Sequence, residues 1–147
     1  MLLSLGADVN FRNIDGLTPL DLAVRKCSIS VTKILLDRGA QVNSRHLQKK
    51  AALHHVFDER FLSPLEVREM AALLIRHGAD VNARDSAGYT PLQIAVTKRW
   101  TWEIVGESLN AGADRCATSD DGKFPYDMIP DGPWAETQRL FLRHYPV

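Results

Sequence analysis

The sequence predicts an all-α solenoid, a stack of helix–turn–helix units joined by β-turn fingers, and two recurring phrases carry that prediction. The first phrase reads Gly-Ala-Asp-Val-Asn or a close variant, and its copies start at Gly6, Gly39, Gly78 and Gly112. The steps between the copies are 33, 39 and 34 residues. A period of about 20 to 50 residues is typical of stacked supersecondary units rather than of one globular core.

The second phrase keeps the same period and contains Thr-Pro-Leu. Residues 15–23 read Asp-Gly-Leu-Thr-Pro-Leu-Asp-Leu-Ala, and residues 87–95 read Ala-Gly-Tyr-Thr-Pro-Leu-Gln-Ile-Ala. A weaker copy occupies residues 121–129, and residues 51–54 stand where the remaining copy should fall. Together these motifs resemble the ankyrin repeat family over nearly the whole chain. The resemblance implies an ankyrin-repeat solenoid that serves as a protein–protein interaction module.

The third full unit shows why each element should form. Gly88 belongs to a turn and is free to take a positive φ angle. Thr90 is placed to cap the first helix, and Pro91 suits the first helical position because its missing N–H costs nothing there. The second helix is expected over about residues 102–111, and Gly112 should end it in the left-handed conformation. One such helix pair cannot bury its own apolar face, so stacking on neighbouring units supplies the stability.

We expect one domain over residues 1–147, and two of its units are irregular. The unit at residues 46–82 is about six residues longer than the others. Ser63, Pro64 and Glu66 predict a capping box and a second helix that runs to His77, which places an insertion at residues 57–62 between the helices. The predicted units are a half repeat at 1–9, full repeats at 13–43, 46–82 and 85–114, and a degenerate C-terminal cap at 119–145 whose last, more polar helix covers about 134–144.

Composition excludes several classes of function. Lys plus Arg equals Asp plus Glu at 18 each, so the chain lacks the basic excess that nucleic-acid binding needs. No apolar run approaches the roughly 18 residues of a membrane helix, and the start of the chain does not have the pattern of a signal peptide. Cys27 and Cys116 are far apart in sequence, and we interpret them as reduced structural cysteines of an intracellular protein, cytoplasmic or nuclear, with a disulfide or redox pair as the alternative.

A column of arginines is the first candidate partner-binding feature. Arg12, Arg45 and Arg84 occupy equivalent positions at the finger tips of successive units, and Thr118 takes that position in the last one. Three guanidinium groups in a row are suited to grip an acidic segment of a partner protein. The alternative is that these side chains are simply solvated.

A second column lies where the first helices should face a concave groove, and its charges alternate in sign. Such a pattern favours specificity for a partner with its own charge pattern. Apolar finger residues ringed by charge, and a tryptophan at the bend between two helices, are the expected apolar contacts, although the tryptophan is equally suited to wedge two repeats together. The groove candidates are Arg25, Asp58, Glu59 and Lys98, and the apolar candidates are Leu17, Leu47, Tyr89 and Trp100, with Ile14 beside them.

A small-molecule-binding or catalytic groove near residues 57–62 is the alternative function. His54 or His55 with Asp58 would form an acid–base pair one helical turn apart, and a deep closed pocket beside Trp100 would support it. The sequence contains no glycine-rich phosphate loop and no Gly-x-Ser-x-Gly motif. The histidines have no cysteine nearby to complete a zinc site. We therefore expect a protein-binding module that is not an enzyme and needs no cofactor or metal.

The beginning of the chain carries one further expectation. Residues 1–9 match the second helix of a unit without a first helix before it. Leu2, Leu3 and Leu5 would then lie at an uncapped end of the stack. That arrangement predicts either self-association through this end or coverage by sequence outside this chain.

Overall fold

The fold is a linear stack of helix pairs. The computed structural model describes residues 6–46, 48–58, 63–133 and 135–144, and across these ranges the backbone forms helices and turns without a β-strand. The α-helices are α1 (Pro19–Arg25), α2 (Ile29–Asp37), α3 (Ala52–Asp58), α4 (Pro64–Arg76), α5 (Pro91–Thr97), α6 (Trp102–Asn110) and α7 (Ala135–His144), with a 3-10 helix at Pro125–Met128 between α6 and α7.

Local sequence determines where several helices begin. Thr18, Ser63 and Thr90 are N-caps whose side chains accept a hydrogen bond from the N–H three residues later, and the residue at that third position bonds back to the cap. A proline follows each cap. These capping boxes satisfy backbone donors that the first turn of a helix leaves without partners. The caps predicted at Ser63 and Thr90 and the predicted α4 are thus confirmed, with His77 as the C-cap of α4.

The helices pack in two rows. In the inner row α1 packs on α3, α3 on α5, and α5 on the 3-10 helix, while α2, α4 and α6 form the outer row. The buried side chains form a main cluster across the first units and a second cluster that α7 closes. The largest fully buried side chains of the main cluster are Leu20, Val24, Val56, Phe57, Val67, Met70 and Leu74, and those of the second cluster are Leu92, Val105 and Leu142. Stability therefore comes from contacts between neighbouring units.

Left-handed glycines end the outer helices as predicted. Gly112 follows α6 with a φ of 93°, and Gly39 and Gly78, which follow α2 and α4, each have a φ of 85°. Side chains other than glycine rarely adopt this conformation, which closes the helix end by a reversed backbone turn.

The structure corrects one expectation about the irregular units. Phe57 and Asp58 belong to the last turn of α3, and Phe57 is fully buried in the main cluster, so the insertion does not begin at residue 57. Residues 59–62, including Glu59, lie outside the described residues, as do Leu47 and residues 1–5 with Leu2, Leu3 and Leu5. In the last unit the first helix is a 3-10 turn.

Candidate functional site

The asparagines of the recurring phrase join successive fingers. Each side-chain NH2 donates to the carbonyl oxygen of the glycine that ends the next outer helix, and each side-chain oxygen accepts the N–H two residues beyond that glycine. For Asn82 the distances are 3.0 Å to the Gly112 oxygen and 2.7 Å from the Asp114 nitrogen. Asn43 repeats the pattern one unit earlier and Asn10 two units earlier. The phrase therefore has a structural role in stacking.

The arginine column forms a second set of inter-finger contacts. Arg12 donates to the carbonyl oxygen of Arg45 at 2.7 Å and to the Ser44 hydroxyl at 2.7 Å. Arg45 donates to the carbonyl oxygen of Arg84 at 3.3 Å, and Arg84 pairs with Asp120 at 3.2 Å. The guanidinium groups thus remain partly exposed but already hold the next finger. Substituting them would loosen the stack as well as remove positive charge.

Buried polar side chains of the inner helices bind the following finger. His54 accepts the Ala51 N–H at Nδ1, so its proton lies on Nε2, which donates to the carbonyl oxygen of Tyr89 at 3.0 Å. Burial lowers the pKa of His54 and keeps this neutral form. Gln93, at the same position in the next unit, donates to the carbonyl oxygen of Lys123 at 2.9 Å.

A stacked histidine pair lines part of the inner groove, which we define as the depression between the fingers and the inner row. The Nε2 atoms of His46 and His55 are 3.0 Å apart and the ring centroids 5.0 Å apart. Because His46 accepts the Gln48 N–H at Nδ1, its proton lies on Nε2 and is donated to His55. Burial, followed by the nearby His46 and Lys50, lowers the pKa of His55 from 6.5 to about 3.

An ion cluster crosses the middle of the inner groove. The Asp58 carboxylate lies 2.6 Å from the Lys50 ammonium and 2.8 Å from that of Lys98. Burial opposes ionisation of Asp58, but hydrogen bonds from both lysines outweigh it and lower the pKa of the carboxyl to about 2. Of the alternating charges predicted for the groove, Asp58 and Lys98 therefore pair with each other within the chain.

The apolar residues predicted to contact a partner differ in how deeply they are buried. Leu17 is buried, so its expected exposure is wrong. Its N–H donates to the Asn13 side-chain oxygen, and its carbonyl oxygen accepts the Asn13 N–H. Tyr89 is half-buried against the main cluster. Trp100 donates its indole N–H to the Phe57 carbonyl oxygen at 2.7 Å and also packs on that cluster, so it wedges two units together.

Two open depressions form the inner groove, one on each side of the ion cluster. The first has a volume of about 420 Å³ and a mostly polar lining of Asp15, Leu17, Arg25, His46, Gln48, Lys50, His55 and Asp58. The second has a volume of about 230 Å³ and a mostly apolar lining that includes Tyr89, Ile94 and Met128. The structure thus brings Arg25, Asp58, Lys98 and Tyr89 together around one groove, while Arg12, Arg45 and Arg84 act along the finger tips.

Lys50 is the groove residue that sequence reasoning missed. It precedes Ala51, just as Leu17 precedes Thr18 and Tyr89 precedes Thr90. Strict use of the repeat register would have placed it in the groove, but the degenerate phrase at residues 51–54 hides that register.

Three further surface properties of the described residues concern metal binding, membrane insertion and a second groove. No group of three or more His, Cys, Asp and Glu side chains there is arranged to hold a metal ion. None of the helices placed by the structure is long and apolar enough to cross a membrane. A further groove of about 450 Å³ lies between α4 and α6 on the outer row, with Leu65, Ile75 and Ile104 in its apolar lining.

Comparisons with known proteins agree with this architecture. The ankyrin repeat family model matches residues 15–47 and 52–86. Human protein phosphatase 1 regulatory subunit 27 is 36% identical over 111 residues, which are 76% of this chain and 67% of that protein. The mouse protein of the same name is 35% identical over 102 residues, 69% of this chain and 62% of its own length.

A larger relative shows the same repeats in another context. Human transient receptor potential cation channel subfamily A member 1 is 32% identical over 128 residues, 87% of this chain but 11% of that protein. The repeat phrases, the two rows of helices and these similarities agree. The chain belongs to the ankyrin repeat family, whose repeats are protein–protein interaction modules.

Proposed function

We propose that this chain binds a partner protein through the inner groove and the adjoining fingers. The observation that carries the proposal is the open groove itself, which runs past several units and combines a polar with an apolar depression. A groove of this kind suits an extended or helical segment that offers both charged and apolar side chains. Exposed side chains in its lining include Asp15, Arg25 and Gln48, and Ile14, which precedes Asp15 in the sequence, is also exposed.

The contacts of the arginine column shift the expected recognition site toward the groove. Arg12 and Arg45 already donate to backbone carbonyl groups of the next finger. Arg25 lines the polar depression and is exposed. Because Arg25 lies in the lining of the polar depression, we assign recognition of an acidic partner segment to that depression together with the arginine column.

The chemistry of the groove favours binding over catalysis. A general base at neutral pH works best with a pKa near 7. The pKa of His55 is about 3, and Asp58, with a pKa of about 2, is held by two lysines. The depression beside them is open, and the indole N–H of Trp100 is occupied by a backbone carbonyl group. These features support a non-enzymatic role without a cofactor.

An intracellular location is part of the proposal. Cys27 and Cys116 are unpaired, which is ordinary in a reducing compartment. Burial raises the pKa of the Cys27 thiol and so keeps it in its less reactive protonated form.

A matched set of variants tests the groove. The double change Arg25→Glu and Gln48→Glu alters two exposed groove positions, while Lys33→Glu alters an exposed position on α2. We expect affinity-capture mass spectrometry to recover the same partners with wild type and with the Lys33 variant. The double variant should capture about fivefold less of those partners, or less still. Thermal unfolding of all three proteins checks that they are folded. Equal capture by the double variant would refute the groove as the binding site.

A narrower candidate partner is protein phosphatase 1. The similarity to protein phosphatase 1 regulatory subunit 27 over 76% of this chain is the observation that favours it. Purified phosphatase 1 titrated against the immobilised chain should bind, and the double groove variant should weaken that binding. Failure to bind at about 100 µM, a range where even weak complexes form, would exclude this partner and leave the general proposal standing.

A further inference from the structure

The stacked histidine pair of the inner groove can take up a proton at one particular atom. His46 donates its Nε2–H to Nε2 of His55 at 3.0 Å, so a proton added to that nitrogen of His55 would break the hydrogen bond. A proton added to Nδ1 of His46 would leave the bond in place. His46 is half-buried whereas His55 is 7% exposed, so a charge on His46 also loses less of its hydration. Nδ1 of His46 is therefore the site of first protonation.

Protonated His46 would present two donors side by side. The backbone N–H of Gln48 points at Nδ1, with 3.3 Å between the two nitrogen atoms. Once Nδ1 carries a proton it cannot accept this N–H, and both groups need an acceptor. Two neighbouring donors and a positive ring suit an oxyanion, because a carboxylate or a phosphate accepts several charge-assisted hydrogen bonds. Both residues line the polar depression of about 420 Å³, which has room for such a group.

The charges around the histidine pair favour an anion. Burial lowers the pKa of both rings, and the nearby Lys50 and Arg25 lower it further, whereas Asp21 opposes the effect on His46. Asp58, in the same lining, is already held by two lysines. The charged and titratable groups that face the pair are Arg12 and Asp15 of the first finger, Asp21 and Arg25 of α1, Lys50 before α3, and His54 and Asp58 of α3.

We infer that the polar depression binds an oxyanion at Nδ1 of His46 and the N–H of Gln48, with Arg25 and Lys50 supplying further positive charge. The inference rests on the proposed function, because the anion would belong to an acidic or phosphorylated side chain of the partner segment in the inner groove. Both sources offer the same chemistry, a negatively charged group with several acceptor oxygens.

Proton uptake is the signature of this site. An anion beside the ring favours the charged form of His46, so binding draws a proton onto Nδ1. Affinity for the anion should therefore rise as the pH falls. Attraction by Arg25 and Lys50 alone would give no such dependence near neutral pH, because both side chains stay charged there.

Titration of the full chain with sodium sulfate, and separately with sodium acetate, at pH 6 and pH 8 tests the inference by NMR. Sulfate stands for a phosphate group and acetate for an acidic side chain, and both keep a constant charge in this range. We expect at least one of them to shift the side-chain nitrogen resonances of His46 and His55, with an affinity about threefold or more higher at pH 6. Sodium chloride at equal ionic strength measures the effect of salt alone.

Three variants separate the contributions. His46→Gln can still donate to His55 but cannot be protonated, so it should bind the anion about threefold or more weakly at pH 6 and lose the pH dependence. Arg25→Gln should weaken binding at both pH values and keep the pH dependence. His77→Gln is the matched control, because His77 caps α4 on the outer row, and it should bind like the wild-type chain.

Two results would overturn the inference. One is that neither anion shifts the His46 and His55 resonances up to about 50 mM at pH 6. The other is a pH dependence that survives His46→Gln. Failure of the proposed function looks different, since the double variant at Arg25 and Gln48 would then capture the same partners as wild type even if sulfate or acetate binds.

Discussion

Acidification should destabilise this protein through His55, whose ring is buried beside His46 in the inner groove. The perturbation is a change from pH 7.5 to pH 5. The folded chain holds His55 with a pKa of about 3, while the same side chain in the unfolded chain has its ordinary pKa of about 6.5. At pH 5 the unfolded chain therefore binds nearly one proton at this residue and the folded chain almost none.

The sign and size of the effect follow from proton linkage. A lowered folded pKa stabilises the protein above the unfolded pKa, and that stability is lost as the pH falls from about 6.5 toward 3. The slope approaches about 1.4 kcal/mol per pH unit for one histidine, so His55 alone should cost about 2 kcal/mol of unfolding free energy at pH 5. The pKa of His54 is also lowered by burial, and this residue adds to the loss in the same direction.

Urea denaturation at several pH values, followed by far-UV circular dichroism and tryptophan emission, measures the effect. A loss of about 2 kcal/mol lowers the midpoint by about 1 M urea in a protein of this size. The matched variant is His55→Ile, because Ile94 occupies the same position one unit later and is buried there. It should reduce the loss between pH 7.5 and pH 5 by about 2 kcal/mol. Asp58 remains ionised throughout this range.

An unchanged pH dependence in His55→Ile would refute the reasoning. It would mean that the His55 ring is hydrated in solution, or that it accepts a proton without opening the contact with His46. If the unfolding free energy of the wild-type chain does not change between pH 7.5 and pH 5, the predicted loss of stability is wrong for all the buried histidines.

Three further substitutions test the contacts between units, each by the change in unfolding free energy at pH 7.5. Asn82→Ala removes the two hydrogen bonds to the next finger and should cost about 1 to 2 kcal/mol; no change would mean that water replaces them fully. Trp100→Phe keeps an aromatic ring between the units but leaves the Phe57 carbonyl group without its donor, and it should cost about 1 kcal/mol. Trp100→Ala also removes the ring, so an equal loss in that variant would contradict the importance of the ring. Asp58→Asn leaves the ammonium groups of Lys50 and Lys98 close together without a carboxylate between them, and it should cost about 1 kcal/mol. The loss should be smaller in high salt, and a loss that does not depend on salt would argue against repulsion between the lysines.

Local sequence predicted the elements whose causes are local. The caps at Thr18, Ser63 and Thr90 and the left-handed Gly112 were readable because a cap or a helix-ending turn involves residues within one helical turn. The predicted insertion at residues 57–62 begins two residues too early, since Phe57 and Asp58 still belong to α3, because helix ends without a capping signal are weakly encoded.

The exposure of the candidate site residues was less predictable. Leu17 was expected at the surface and is buried, and Trp100 packs between units, because burial depends on which unit lies opposite. The roles of Glu59 and Leu47 in partner binding stay predictions.

The sequence by itself determined the repeat, its period and the positions of its caps, since these depend on short-range backbone chemistry that every copy of a phrase restates. Only the tertiary structure decided what the repeated side chains do. It committed the asparagines and arginines to the next finger, enclosed Asp58 between Lys50 and Lys98, and left Val31 exposed where Met70 is buried. The physical reason is that most of these contacts, such as Asn82–Gly112, Arg12–Arg45 and Asp58–Lys98, join residues about 30 to 40 positions apart. Their partners are set by how the units stack.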